Sequence, residues 1–182
     1  MKRNGITYTQ GNLFDAIHPQ MDCEGKVVIV PHIVNDIGVM GSGFVVPLCN
    51  HWPVVKKNYL AWANHGFGVF ALGEIQAVNC KLTGPGSVYV VNMVAQHQTI
   101  RENPKPIRYG SLCQCMESVS GFASKHSGVE FHCPMFGSDL AQGKWEFIEE
   151  LILEFWISKS IPVHIHVLDE KVFQKLDSKG SE

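Results

Sequence analysis

Two stretches of the 182-residue chain combine reactive side chains with glycines that let a ligand approach the backbone. In "HIVNDIGVMGSGF", His32 precedes Asn35 by three residues, and Asp36, Gly38, Gly41 and Gly43 follow. An imidazole exchanges protons near neutrality, and an amide both donates and accepts hydrogen bonds. In "PMFGSDLAQGKW", Gly137, Ser138, Asp139, Leu140 and Ala141 lie ahead of a helical pattern. Small residues at a helix start leave backbone N–H groups free for an anion. One helix end contributes only about 0.3–1 kcal/mol, whereas micromolar binding takes about 8 kcal/mol. Each loop alone reads as readily as a tight turn; only the pair, at matching places in the element order, points to a phosphate-bearing ligand. Neither is a Walker A loop or a GxGxxG dinucleotide loop.

Strands and helices must hold these loops. Ile6 to Gln10 alternates and stops at Gly11-Asn12, which predicts an edge strand. Lys26 to Val34 is apolar on both faces, as in a strand covered on both sides, with Pro31 marking an irregularity or its end. A helix is expected from Gly43, and Trp52-Pro53 opens another. Val69 to Asn79, Ser87 to Val94, Val129 to Cys133 and "PVHIHVL" read as strands. Arg108 to Lys125 and Lys144 to Ser158 read as helices, the second with Trp145, Ile148, Ile152 and Phe155 on one stripe. This alternation predicts a three-layer α/β/α sandwich with a mixed, mostly parallel central sheet. One domain is expected over 1–172, with a flexible tail over 173–182. In such sheets ligands gather beyond the strand ends, where both loops fall.

A net charge of −2 argues against a broad footprint for duplex nucleic acid. Six cysteines without a CxxC pair read as reduced thiols of a cytosolic protein. No apolar run is long enough to span a membrane, and "MKRNGITYTQGN" lacks a signal peptide's apolar core. A cytoplasmic (or, in a eukaryote, nuclear) monomer without a membrane partner is expected. His164 and His166 alternate on one strand face, but with Cys113, Cys115 and Cys133 they match no common metal spacing. No metal and no cofactor are expected.

In order along residues 5–168, "ITYTQGNLF", "HIVND…MGSGF", "VYVVNMVAQ" and "PMFGSDLAQGKW" resemble the macro domain family, whose members bind ADP-ribose and in part hydrolyse its derivatives. The likeness is greatest to the branch holding the ADP-ribose-1″-phosphate phosphatases and the terminal ADP-ribose protein glycohydrolase. It implies that Asn12, where the family usually has aspartate, pairs with adenine, and that Leu13 adds a backbone contact. Asn35 would reach the distal ribose, with Asp36 beside it in the ligand-binding set. Gly41, Ser42, Gly43 and Phe44 would wrap ribose and phosphates, and Gly137, Ser138, Asp139, Leu140 and Ala141 would cradle the pyrophosphate. His166 stands where an aromatic ring often stacks on adenine.

The glycohydrolase's nucleophilic lysine falls on Ala95 and its partner aspartate on Ala141, so a covalent lysine adduct is not expected. His32 matches a phosphatase histidine and is assigned proton transfer, Asn35 positioning, and Asp139 either an outward turn or activation of a water. The expected reaction is hydrolysis of ADP-ribose-1″-phosphate to ADP-ribose and phosphate. The alternatives are a non-catalytic reader of ADP-ribosylated protein or nucleic acid, and removal of ADP-ribose from macromolecules by substrate-assisted water attack. A third is an interaction module whose glycine loops are only turns.

Overall fold

The double-sided apolar run at Lys26–Val34 becomes the central strand of a seven-stranded mixed sheet. The computed structural model describes residues 1–64, 68–80 and 85–178. The strands are β1 (Lys2–Arg3), β2 (Ile6–Gln10), β3 (Val27–Asn35), β4 (Ile75–Asn79), β5 (Ser87–Gln96), β6 (Val129–Pro134) and β7 (Val163–Val167). Their spatial order is β1-β2-β7-β6-β3-β5-β4. The inner five run parallel, and β1 and β4 close the two edges antiparallel.

Helices cover both faces, completing the three-layer sandwich. On one side Val28 and Val30 pack against Leu48 of α2 (Val45–His51), Val55 of α3 (Pro53–Ala63) and Trp52 between the two helices. Short α1 (Leu13–Ile17) adds Leu13 and Ile17 to that layer. On the other side Ile29, Met93, Phe131 and Ile165 meet α4 (Tyr109–Ala123) and α5 (Trp145–Phe155). Each fully buried large side chain contributes about 1.5–3 kcal/mol, so the layers hold the strand ends firmly.

Three expectations change. Ile6–Gln10 is not an edge, because β1 pairs outside it and Arg3 ties that margin to Glu149 of α5, which also accepts from Tyr8 Oη at 2.7 Å. Val69 to Glu74 is irregular, and only Ile75–Asn79 joins the sheet. Where a tail was expected from 173, α6 (Glu170–Ser178) forms and buries Leu176; 179–182 lie outside the described residues.

Two irregularities shape the loop end. β3 pairs with β6 only through Val27–Ile29, then the two strands part. Pro31 sits beyond that point, where its missing N–H breaks no bond to β6, so a proline is tolerated in a central strand. The second is a register shift between Val34 and Asn35, which pair with Val94 and Gln96 and skip Ala95. Because β3 and β6 diverge, the loops after Asn35 and Pro134 flank a crevice rather than continue a ladder.

Candidate functional site

Asn35 ends β3 and is 6% exposed. Its Oδ1 accepts from the N–H of Ile37 (3.2 Å) and Val39 (3.0 Å) and from Tyr59 Oη (3.0 Å), while Nδ2 donates to the Val39 carbonyl. Tyr59 Oη also reaches the Asn35 carbonyl at 2.8 Å. The amide therefore folds the loop upon itself and fixes it to α3. Asp36 accepts from His97 Nδ1 at 2.7 Å and from the Gln98 N–H at 2.8 Å. Gln98 has φ +64°, a left-handed conformation that turns its N–H toward the carboxylate. The His97 main chain is anchored as well, by bonds to Pro106 and Asn103, while its side chain stays 44% exposed. An imidazole oriented by a carboxylate and still open to solvent is thus set at the ends of β3 and β5.

Beyond Met40, Gly41, Ser42 and Gly43 are exposed and lead into α2 through Phe44. The second loop comes to meet them. At Gly43, φ +71°, a β-carbon would lie 3.0 Å from Leu140 Cδ1. At Gly137, φ +81°, one would lie 2.8 Å from Ile148 and 3.5 Å from Ile33, so only glycine lets the second loop sit this low. The loop closes on itself through Gly143 N–H to Gly137 O (2.7 Å) and Gln142 N–H to Asp139 O (2.8 Å). Ser138 Oγ donates to Met135 O at 2.9 Å. Ala141 is buried and its carbonyl accepts from Ile107, whereas Asp139 and Leu140 are exposed. Among the described residues, the N–H groups of Gly41, Ser42, Gly43 and Phe44 and of Ser138, Asp139, Leu140 and Ala141 donate to no protein acceptor. Adjoining loops with unbonded main-chain N–H groups have the donors that an anion needs.

His32 lies inside β3 and is 2% exposed. Its Nε2 donates to Asn92 Oδ1 at 2.6 Å, Asn92 Nδ2 to Gln76 Oε1, and Gln76 Nε2 to the Asn58 carbonyl. This relay fixes the tautomer and leaves Nδ1 a buried lone pair without a partner among the described residues. Burial pushes the imidazole pKa down from 6.5 to about 4, so the ring is neutral at physiological pH. Phe44 meets it edge-on at 5.9 Å.

Asn12 caps α1, its Oδ1 accepting from Phe14 N–H at 3.0 Å. It also walls a groove of about 620 Å³ between α1 and α2, with Phe14, His18, Pro47, Asn50 and His51. Leu13 is buried beneath. His166 is 6% exposed and bonds to His132 Nδ1 at 3.0 Å, so it belongs to the sheet layer rather than to an open stacking position. His132 was not singled out from the sequence; with Glu130 and His164 it forms a set of side chains able to hold a metal.

No protein-family model and no curated protein matches this chain. Among solved structures, a protein of unknown function from Bacteroides thetaiotaomicron is 33% identical, with a TM-score of 0.75 over 88% of this chain and 96% of that one. A macrodomain protein from Streptomyces coelicolor is 30% identical, with a TM-score of 0.70 over 90% of this chain and 99% of that one. Thermosipho africanus DarTG in complex with ADP-ribose shares the fold at 14% identity, with a TM-score of 0.69 over 93% of this chain and 43% of that one.

Proposed function

Because this chain belongs to the macrodomain family, we propose that it binds ADP-ribose across the carboxyl ends of its parallel strands. The observation that carries this reading is the pair of adjoining loops in which the N–H groups of residues 41–44 and 138–141 have no acceptor among the described residues. A diphosphate between them takes several charge-assisted bonds at once, which one helix end does not offer. The adenine then falls toward Asn12 and the distal ribose toward the Asn35–Asp36 turn. Titration calorimetry with ADP-ribose tests it: one site per chain is expected, and no heat at submillimolar ligand rejects it.

The catalytic extension is hydrolysis of ADP-ribose-1″-phosphate. Water attacks phosphorus, the bond from phosphorus to the ribose oxygen breaks, and that oxygen takes up a proton. His32, buried under Phe44 and neutral, is a poor proton donor at pH 7. His97 is held by Asp36 at the strand ends and its side chain is open to solvent. Phosphate release should fall to background in His97→Ala and persist in His32→Gln. The reverse outcome returns the role to His32, and no release by the parent protein rejects the phosphatase reading.

A non-catalytic reader is the second reading. What favours it is that the polar side chains of Asn35 and His32 are already engaged within the fold. Retention of ADP-ribosylated protein or nucleic acid without loss of label supports the reader; release of ADP-ribose from it supports a de-ADP-ribosylating hydrolase.

A further inference from the structure

β6 and β7 run side by side in parallel, with His132 opposite His164 and Pro134 opposite His166. Phe131, Cys133, Val163 and Ile165 turn toward the α4–α5 core. Glu130, His132, His164 and His166 therefore share the other face of the sheet. The His132 ring stacks nearly parallel on His164, 4.6 Å between centroids, and on His166 at 5.2 Å. Nε2 of His132 and Nε2 of His164 lie 3.7 and 3.9 Å from the same oxygen, Glu130 Oε2. One donor atom from each of the three residues lies within 4.8 Å of the other two.

The hydrogen bonding of this row does not close. Among the described residues, His132 Nε2 and His166 Nδ1 are buried without a partner. If His132 Nδ1 donates to His166, the His132 Nε2 lone pair faces a carboxylate oxygen 3.7 Å away. If the bond runs the other way, His132 Nε2–H is too far from Oε2 to donate, and His166 Nδ1 is left a bare lone pair. In the first arrangement a cation between Oε2 and the two Nε2 atoms gives the His132 Nε2 lone pair its partner, and the His166 bond then holds His132 in the metal-binding tautomer.

We propose that Glu130, His132 and His164 bind one divalent transition-metal ion of the zinc class, through Oε2 and two Nε2 atoms, with His166 orienting His132. Two imidazoles and a carboxylate suit Zn²⁺, Co²⁺ and Ni²⁺, and leave a fourth position for water. Tetrahedral ligands about 2.1 Å from zinc stand about 3.4 Å apart, so binding draws the three donors inward and turns the stacked imidazole planes until each contains the ion. That side chain is 29% exposed and gives the ion a path from solvent. The site lies toward the amino ends of β6 and β7, away from the glycine loops. Lys26 opposes it, because its ammonium pairs with the other Glu130 oxygen.

The test is titration of chelator-treated protein with Co²⁺, then Zn²⁺. Visible d–d bands at one ion per chain, displaced by zinc, and a zinc-dependent rise in Tm are expected. His164→Gln, and independently Glu130→Gln, should abolish the bands while leaving the metal-free Tm and circular dichroism near those of the parent. His166→Gln should weaken binding by about 10–100-fold with an unchanged band shape, and Lys26→Gln should tighten it. Absence of both bands and Tm shift at millimolar metal overturns the proposal. So do bands that survive in both His164→Gln and Glu130→Gln, which place the ion on other residues.

Discussion

Leu140 packs on Gly43, bringing the loop after β6 onto the loop after β3. The contact joins the two glycine loops beyond the point where the two strands part.

Gly43→Ala should therefore weaken ADP-ribose binding without unfolding the protein. A β-carbon there meets Leu140 at 3.0 Å, and φ +71° costs an L-residue about 1–2 kcal/mol. A loss of about tenfold in Kd by calorimetry is expected, with part of it restored in Gly43→Ala/Leu140→Ala. Unchanged affinity in the single variant would show that the loops do not meet over the ligand.

Asn35→Ala should act on stability first. It strands the N–H groups of Ile37 and Val39, while Tyr59 Oη keeps the main-chain carbonyl of residue 35, a cost of about 2–4 kcal/mol. Tyr59→Phe should cost about 1 kcal/mol. Urea unfolding of both singles and the double should show clear non-additivity. Additive losses would mean the tyrosine and the amide act separately.

Asn12→Asp should tighten ADP-ribose binding. The single amide oxygen already caps α1, whereas a carboxylate keeps a second oxygen free for an exocyclic amine. Negative charge at the start of α1 also favours the helix by about 0.3–1 kcal/mol. A several-fold lower Kd together with a higher Tm is expected; weaker binding would place the adenine elsewhere.

Stability should decline on acidification through a defined window. The buried His32 has its pKa lowered from 6.5 to about 4, and burial also lowers those of His132 and His166. Below pH 6.5 the unfolded chain takes up protons that the folded one refuses. The stabilisation is complete above that pH and is lost as pH falls toward 4. Each such histidine contributes a slope of about 1.4 kcal/mol per pH unit. Urea midpoints of chelator-treated protein between pH 7.5 and 4.5 should be flat at first and then drop. His32→Gln should show a shallower drop, and a midpoint flat to pH 4.5 would contradict neutral buried rings.

The layers and both loops were legible in the sequence, because apolar periodicity and clustered glycines are local signals. Lys26–Val34 announced a double-covered strand, and Trp52-Pro53 the start of α3. What side chains do after folding was not legible. Asp36 and His97 stand 61 positions apart, and only the pairing of β3 with β5 brings them together. Glu130, His132 and His164 were invisible as a set for the same reason: metal spacing rules address residues close in sequence, whereas here two parallel strands supply the proximity. Asn35 showed the converse. Its type suggested a ligand contact, but Tyr59, 24 residues on, draws its amide inward. The two-residue β1 is too short to leave any alternation, so β2 looked like an edge.

The skipped Ala95 makes the chain's tolerance of length changes uneven. Upstream, β3 and β5 are locked in step, and losing one residue there would invert the core face. At the bulge the frame is already offset by one. Deleting Ala95 would remove the bulge, put the Val34–Val94 and Asn35–Gln96 pairs in continuous register, and straighten the strand end that sets His97 against Asp36. A single-codon deletion at this point would separate a folded protein from a working one.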